Sequence, residues 1–148
     1  MKQIHVKMSE DLSRPRNEHR GRIEELCQKV KFLDGVDRVM MTMYLKNGNT
    51  FRQIATLMGI HEGNISRRIR RITKKLIEGE YIICLRHSNR FTCRQMEIAK
   101  HYFLWGIPLR QLASMHNSSF YRMRLAVLDI KRTLKYIELE KGYLKIKA

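Results

Sequence analysis

The stretch TFRQIATLMGIHEGNISRRIRRITKKL, residues 50–76, decides the fold. Thr50 is a helix cap, and Phe51, Ile54, Ala55 and Met58 follow at helical spacing as the inner face of a short helix. Gly59 supplies a tight turn, because a residue without Cβ takes positive φ at little cost. A longer helix is predicted from about Glu62 to Ile77, burying Ile65, Ile69, Ile72 and Leu76. Ala55 is small where two helices must cross, Gly59 turns the chain, and Ile65 is the first buried position beyond the turn.

The same pattern returns 58 residues later, without a gap, as PLRQLASMHNSSFYRMRLAVLDIKRTL at 108–134. In that register Tyr44 matches Tyr102, Gly48 matches Gly106, and Arg52-Gln53 matches Arg110-Gln111. Ala55 matches Ala113, Ile72 matches Ile130, and Leu76 matches Leu134. The first copy runs from Asp34 and the second from Thr92. Asp34 reads as the N-cap of an opening helix, with Asp37 near the positive end of its dipole. Val36, Val39, Met40, Met43 and Tyr44 supply that helix's apolar face, and Asn47-Gly48-Asn49 stops it. In the second copy Thr92 and Gln95 have capping-box spacing. Met96, Ala99, Tyr102 and Phe103 form the face, Gly106 ends the helix, and Pro108 suits the start of the next. Asn117 replaces the turn glycine, since asparagine visits the left-handed region more readily than most residues. Ser118 or Ser119 then caps a third helix burying Met123, Val127, Ile130 and Leu134.

The predicted architecture is all-α: two tandem helix-turn-helix modules of three helices, at 34–77 and 92–135, behind an N-terminal helix. Residues 1–33 are an arm and an amphipathic helix. Ile4, Val6 and Met8 alternate with polar residues and allow a short strand before Pro15. A helix is expected from Asn17 to about Phe32, with Ile23, Leu26, Cys27 and Val30 packing on the first module or on another subunit. Residues 78–91 are read as a connector and 136–148 as a C-terminal tail, with strand and helix both open after each third helix.

The chain has 148 residues, with 30 Lys/Arg against 14 Asp/Glu and a net charge of +16. Both modules are basic, with nine Lys/Arg against three Asp/Glu at 34–77 and eleven against four at 92–148, while 78–91 is balanced. Solubility needs only a modest net charge, so this excess points to a polyanion. No apolar stretch is long enough to span a bilayer, and the polar N-terminus does not read as a signal peptide. No membrane association is expected, and the expected location is the cytoplasm. Cys27, Cys84 and Cys93 are odd in number and lack metal-ligand spacing, so reduced thiols are expected, with no metal and no cofactor. Carboxylates are few and scattered, the six histidines do not cluster, and there is no phosphate-binding glycine loop. An enzyme is not expected.

The 62–76 helix carries the chemistry. Arg67, Arg68, Arg70, Arg71, Lys74 and Lys75 place six positive charges in nine positions, which repel one another unless a polyanion is present. Early residues of a groove-reading helix touch base edges, and basic residues further along grip phosphates. Arg67 suits guanine O6 and N7, Asn64 suits adenine or a phosphate, and Glu62 suits cytosine N4. Arg52 and Gln53, repeated as Arg110 and Gln111, open the second helices and are candidate phosphate clamps. A bond across the turn is an equal alternative for the glutamine. The second module is less convincing as a reader. Phe120, Tyr121, Leu125, Ala126 and Leu128 stand where the first has Glu62, Gly63, Arg67, Arg68 and Arg70. Arg122 and Arg124 remain as candidate phosphate contacts. A helix apolar over so much of its circumference is usually covered by a partner.

The run Asp37 to Leu45, then Gly48, Phe51-Arg52-Gln53-Ile54-Ala55, Met58-Gly59-Ile60 and Ile65-Ser66-Arg67 resembles region four of bacterial sigma factors. That module also occurs in sigma-like regulators and LuxR-type response regulators. Arg94 to Ala99 and Leu109 to Ala113 look like a diverged second copy. The resemblance implies a helix that reads an upstream promoter element in the major groove, with Glu62, Gly63, Asn64, Ser66 and Arg67 near bases and phosphates. It also implies a possible dock on RNA polymerase. His61 replaces the usual Ser/Thr helix cap, and no region-two domain has an evident place. A stand-alone, bacterial or phage-encoded regulator of double-stranded DNA is therefore expected. The alternatives are an interaction protein that holds RNA polymerase or another partner with weak DNA affinity, and the DNA-targeting subunit of a phage or recombination system. A homodimer is compatible with each.

Overall fold

The computed structural model describes residues 16–147, and the regular structure among them is entirely helical. The possible strand around Ile4, Val6 and Met8 lies outside the described residues. Two compact units divide the chain, the first ending at Ile77 and the second beginning at Glu78.

The first unit holds α1 (Arg16–Lys29), a 3-10 turn (Val30–Phe32), α2 (Gly35–Leu45), α3 (Phe51–Met58) and α4 (Glu62–Glu78). Leu26 and Val30 are buried and α1 packs on α2, as the apolar stripe of the N-terminal helix anticipates. The buried face of α2 is Met40, Met41, Tyr44 and Leu45, with Tyr44 stacked on Phe51 at 5.2 Å. This corrects the phase read from sequence: Val36 and Val39 are exposed. A face built on Met40–Met41 and Tyr44–Leu45 is centred away from both valines. Asp34 takes the N-cap position in extended backbone, but its carboxylate makes no cap bond.

The second unit holds α5 (Glu80–Arg86), a 3-10 turn (Ser88–Arg90), α6 (Cys93–Ala99) continued by a π turn (Lys100–Leu104), α7 (Leu109–Met115) and α8 (Phe120–Lys147). Residues 78–91 are thus more than a connector. Cys84 on α5 is fully buried, and burial pushes its thiol up to about 12. Within α6 and the π turn the buried residues are Ile98, Ala99 and Leu104, while Met96, Tyr102 and Phe103 are half-buried. Leu134, expected in the core, is half-buried too. Residues 136–147 continue α8 as helix, which closes the choice left open in the sequence.

Taken residue by residue, the repeat is longer than the three-helix pattern read from sequence. The two 3-10 turns are themselves 58 residues apart. Leu26 and Leu33 correspond to Cys84 and Phe91, all four buried. The backbone bonds correspond as well. Asn49 N–H to the Met43 carbonyl (3.0 Å) matches Ile107 N–H to His101 (3.1 Å), and Ile60 N–H to Ala55 (3.1 Å) matches Ser118 N–H to Ala113 (2.9 Å). The turn residues Gly59 and Asn117 both adopt left-handed backbone, with φ of 67° and 48°. The repeating unit is therefore four helices, and α5 is the counterpart of the C-terminal part of α1.

Candidate nucleic-acid interface

The interface candidate is built on α3, the Gly59 turn and α4. Thr50 Oγ1 accepts from Gln53 N–H at 3.1 Å, and Gln53 Oε1 accepts from Thr50 N–H at 2.9 Å. This capping box fixes the start of α3. It engages the Gln53 carbonyl in a local structural bond, leaving Arg52 as the exposed cation of the pair. Around that helix start lies a shallow, open depression of about 610 Å³, lined by Asn49, Thr50, Arg52, Gln53, Thr56 and Leu57.

α4 starts on an unusual cap. His61 Nδ1 accepts the Gly63 N–H at 3.1 Å, doing the work that a Ser or Thr hydroxyl does at other helix starts. A Cβ on Gly63 would stand 3.2 Å from that same nitrogen, so the glycine makes room for the imidazole. Glu62 is exposed in the first turn, where its charge complements the helix dipole.

Ile65, Ile69, Ile72 and Leu76 form the buried edge of α4. At 100° per residue, Asn64, Arg67, Arg71 and Lys74 fall on the opposite side within one narrow stripe, with Arg70 beside it. All five are exposed. Arg67 Nη2 donates to Asn64 Oδ1 at 2.6 Å, so the two foremost base-reading candidates form one polar group. Burial pushes the Tyr44 phenol of α2 up, and the positive charge of Arg70 acts in the other direction.

Three candidates are placed differently. Arg68 is half-buried, and its Nε donates to Asp37 Oδ1 at 2.7 Å, which ties α4 to α2. Ser66 is also half-buried, and its hydroxyl donates to the Gly63 carbonyl at 3.1 Å. Lys75 lies on the half-buried flank. Sequence periodicity places Arg68 near the edge of the buried face but gives no sign that Asp37, far away in the chain, is its partner.

In the second unit Arg110 and Gln111 are exposed on α7, and Arg122 and Arg124 on α8. Ser119, rather than Ser118, caps α8, its Oγ accepting Arg122 N–H at 3.2 Å. Pro108 occupies the N-cap of α7, so α7 has no equivalent of the Thr50 box. The outward face of α8, where α4 carries its cations, presents Tyr121, Leu125 and Leu128. One further cluster escaped the sequence reading. His101 Nδ1 lies 3.1 Å from His116 Nε2, and the His101 ring stands 4.6 Å from Trp105. The first unit has Met43 and Met58 at the two histidine positions.

Among the described residues no group of three or more His, Cys, Asp or Glu side chains gathers as a metal site, and no helix is long and apolar enough to cross a membrane. Comparison with protein-family models, curated proteins and solved structures finds no match to this chain.

Proposed function

We propose that this protein is a sequence-specific double-stranded DNA-binding transcription regulator that inserts α4 into the major groove. The reading rests chiefly on the outward stripe of Asn64, Arg67, Arg71 and Lys74, held opposite a buried isoleucine edge. Asn64 and Arg67, near the helix start, are the base readers. Arg71 and Lys74, one and two turns on, bind phosphates together with Arg52 and Arg70. Arg68 serves the fold through Asp37. The resemblance to sigma region four agrees with this division and suggests a promoter element as the target and RNA polymerase as a second partner. The cytoplasm of a bacterial or phage-infected cell is the corresponding location.

The experiment is selection from a random duplex pool, followed by salt-titrated binding of enriched and scrambled sequences. A specific regulator yields a motif favoured by ~10³-fold or more. Salt-sensitive binding with no enriched motif would overturn the reading. It would favour a protein-binding module with incidental DNA affinity, the alternative to which the exposed apolar face of α8 speaks.

A further inference from the structure

The outward face of α8 is an apolar stripe with coiled-coil spacing, broken once by Arg132. Tyr121, Leu125 and Leu128 begin it; after Arg132 it resumes with Tyr136, Leu139, Tyr143 and Ile146. These seven apolar residues are between 37% and 85% exposed. Steps of four and three residues make Leu125, Tyr136 and Tyr143 a positions and Leu128, Leu139 and Ile146 d positions. A single eleven-residue step joins the two halves. The stripe extends ~38 Å at 1.5 Å per residue. It lies opposite the face that Met123, Val127, Ile130 and Ile137 bury in the second unit. Beyond Ile137 no described residue of α8 is buried. Three helical turns bearing exposed Leu139, Leu144 and Ile146 have little to hold them as helix without a partner.

The flanking charges indicate what that partner is. The g positions before Leu125 and Tyr136 are Arg124 and Lys135, both cationic, and Gly142 stands before Tyr143. The e positions after Leu128 and Leu139 are Asp129 and Glu140, both acidic, and Lys147 follows Ile146, opposite Gly142. In a parallel pair a g residue faces the e residue five positions further along the other helix. That sets Arg124 of one copy against Asp129 of the other, and Lys135 against Glu140. In an antiparallel pair the g rows would meet, cation against cation. Glu140 already accepts two bonds from Arg90, at 3.1 and 2.7 Å, which hold its carboxylate beside the stripe. Arg132, the one charged residue in the seam, lies 3.3 Å from Asp129, which offsets its charge. Arg132 lies in the eleven-residue step, and a single polar residue in such a seam fixes register as one at an a position does.

We propose that α8 is a homodimerisation helix, which pairs in parallel and in register with α8 of a second copy. The α4 stripe faces nucleic acid in the proposed function, whereas its counterpart in the repeat faces another copy of the chain. The inference does not depend on DNA binding.

The test is sedimentation equilibrium of the full chain at about 100 μM, where a dimer of micromolar Kd is almost fully formed. The expected mass is that of a dimer. Leu139→Asp, at an exposed position, should give a monomer that keeps its helical circular dichroism apart from the contribution of residues 138–147. In an Arg132→Ala background, which frees Asp129 from its partner on the same helix, Arg124→Glu should raise the dissociation constant roughly tenfold by placing like charges across the seam in both symmetric pairs, and adding Asp129→Lys should restore it. A wild-type monomer would overturn the proposal, whether residues 1–15 or a different protein cover the stripe. So would a dimer indifferent to Leu139→Asp. Failure of the charge swap to rescue would overturn the parallel register.

Discussion

Arg67 and Arg68 are neighbours in sequence with opposite assignments. Arg67 is exposed and bonded to Asn64 on the outward stripe, while Arg68 is half-buried against Asp37. Arg67→Ala should weaken the specific DNA site by ~1–3 kcal/mol and relax one base preference, with stability little changed. Arg68→Ala should instead lower stability by about 0.5–1 kcal/mol, since a partly exposed ion pair is worth no more than that. A double-mutant cycle with Asp37→Ala should show the coupling in denaturant melts. If Arg68→Ala proved the more damaging to base preference, the division of roles along α4 would be wrong. Periodicity predicts both arginines as site residues, because it sees which side of a helix a residue occupies and not which distant carboxylate waits there.

At the scale of the element, the π turn meets the end of α7 through His101 and His116. Burial, more than the neighbouring His116, holds the His101 imidazole below its ordinary pKa; Lys100 acts in the same direction and Glu97 against it. Folded protein therefore binds this proton less tightly than unfolded protein does. Stability is full above the ordinary histidine value of ~6.5 and falls as pH drops through it toward the lower folded value. The geometry agrees, since one ring nitrogen must accept across the 3.1 Å gap and two imidazolium rings offer no acceptor. Thermal melts of the full chain should show a transition temperature falling between about pH 7 and pH 5. The double substitution His101→Met/His116→Met, which copies Met43 and Met58 of the first unit, should flatten that part of the profile. An unaltered slope would assign the loss to carboxylates elsewhere.

The elements themselves divide into those legible in sequence and those not. The Thr50 and Thr92 caps, the Gly59 and Asn117 turns and the inner edges of α3 and α4 follow from local chemistry and were readable. The phase of α2 was not, because Val36, Val39, Met40 and Met43 make as good an apolar face on paper as Met40, Met41, Tyr44 and Leu45 do in the fold. α5 was missed because Leu26 and Cys84, or Leu33 and Phe91, share burial rather than identity.

For the whole molecule the question is whether two copies of one fold perform one task or two. A shared backbone pattern would allow both units to bind DNA. The charges differ, however: α4 presents Arg67, Arg71 and Lys74 where α8 presents Leu125, Asp129 and Arg132. Counterion release makes the difference measurable, because each phosphate contact contributes about 0.9 to the slope of log K against log salt. Arg52 and Lys74 have Arg110 and Arg132 as their 58-residue counterparts, and all four are exposed. The same amount of charge can therefore be removed from either unit at equivalent places. Arg52→Ala/Lys74→Ala should shallow the slope by about 2, and Arg110→Ala/Arg132→Ala should leave it within about 0.5 of the wild-type value. Loss of Arg132 takes a charge out of the proposed α8 seam, so the second pair should not weaken a dimer either. Equal slopes for the two double variants would mean that both units grip DNA, and the apolar face of α8 would then have to coexist with a phosphate contact on α7. Unequal slopes in the expected sense would mean that duplication preserved the scaffold while the outward face of the third helix changed its partner.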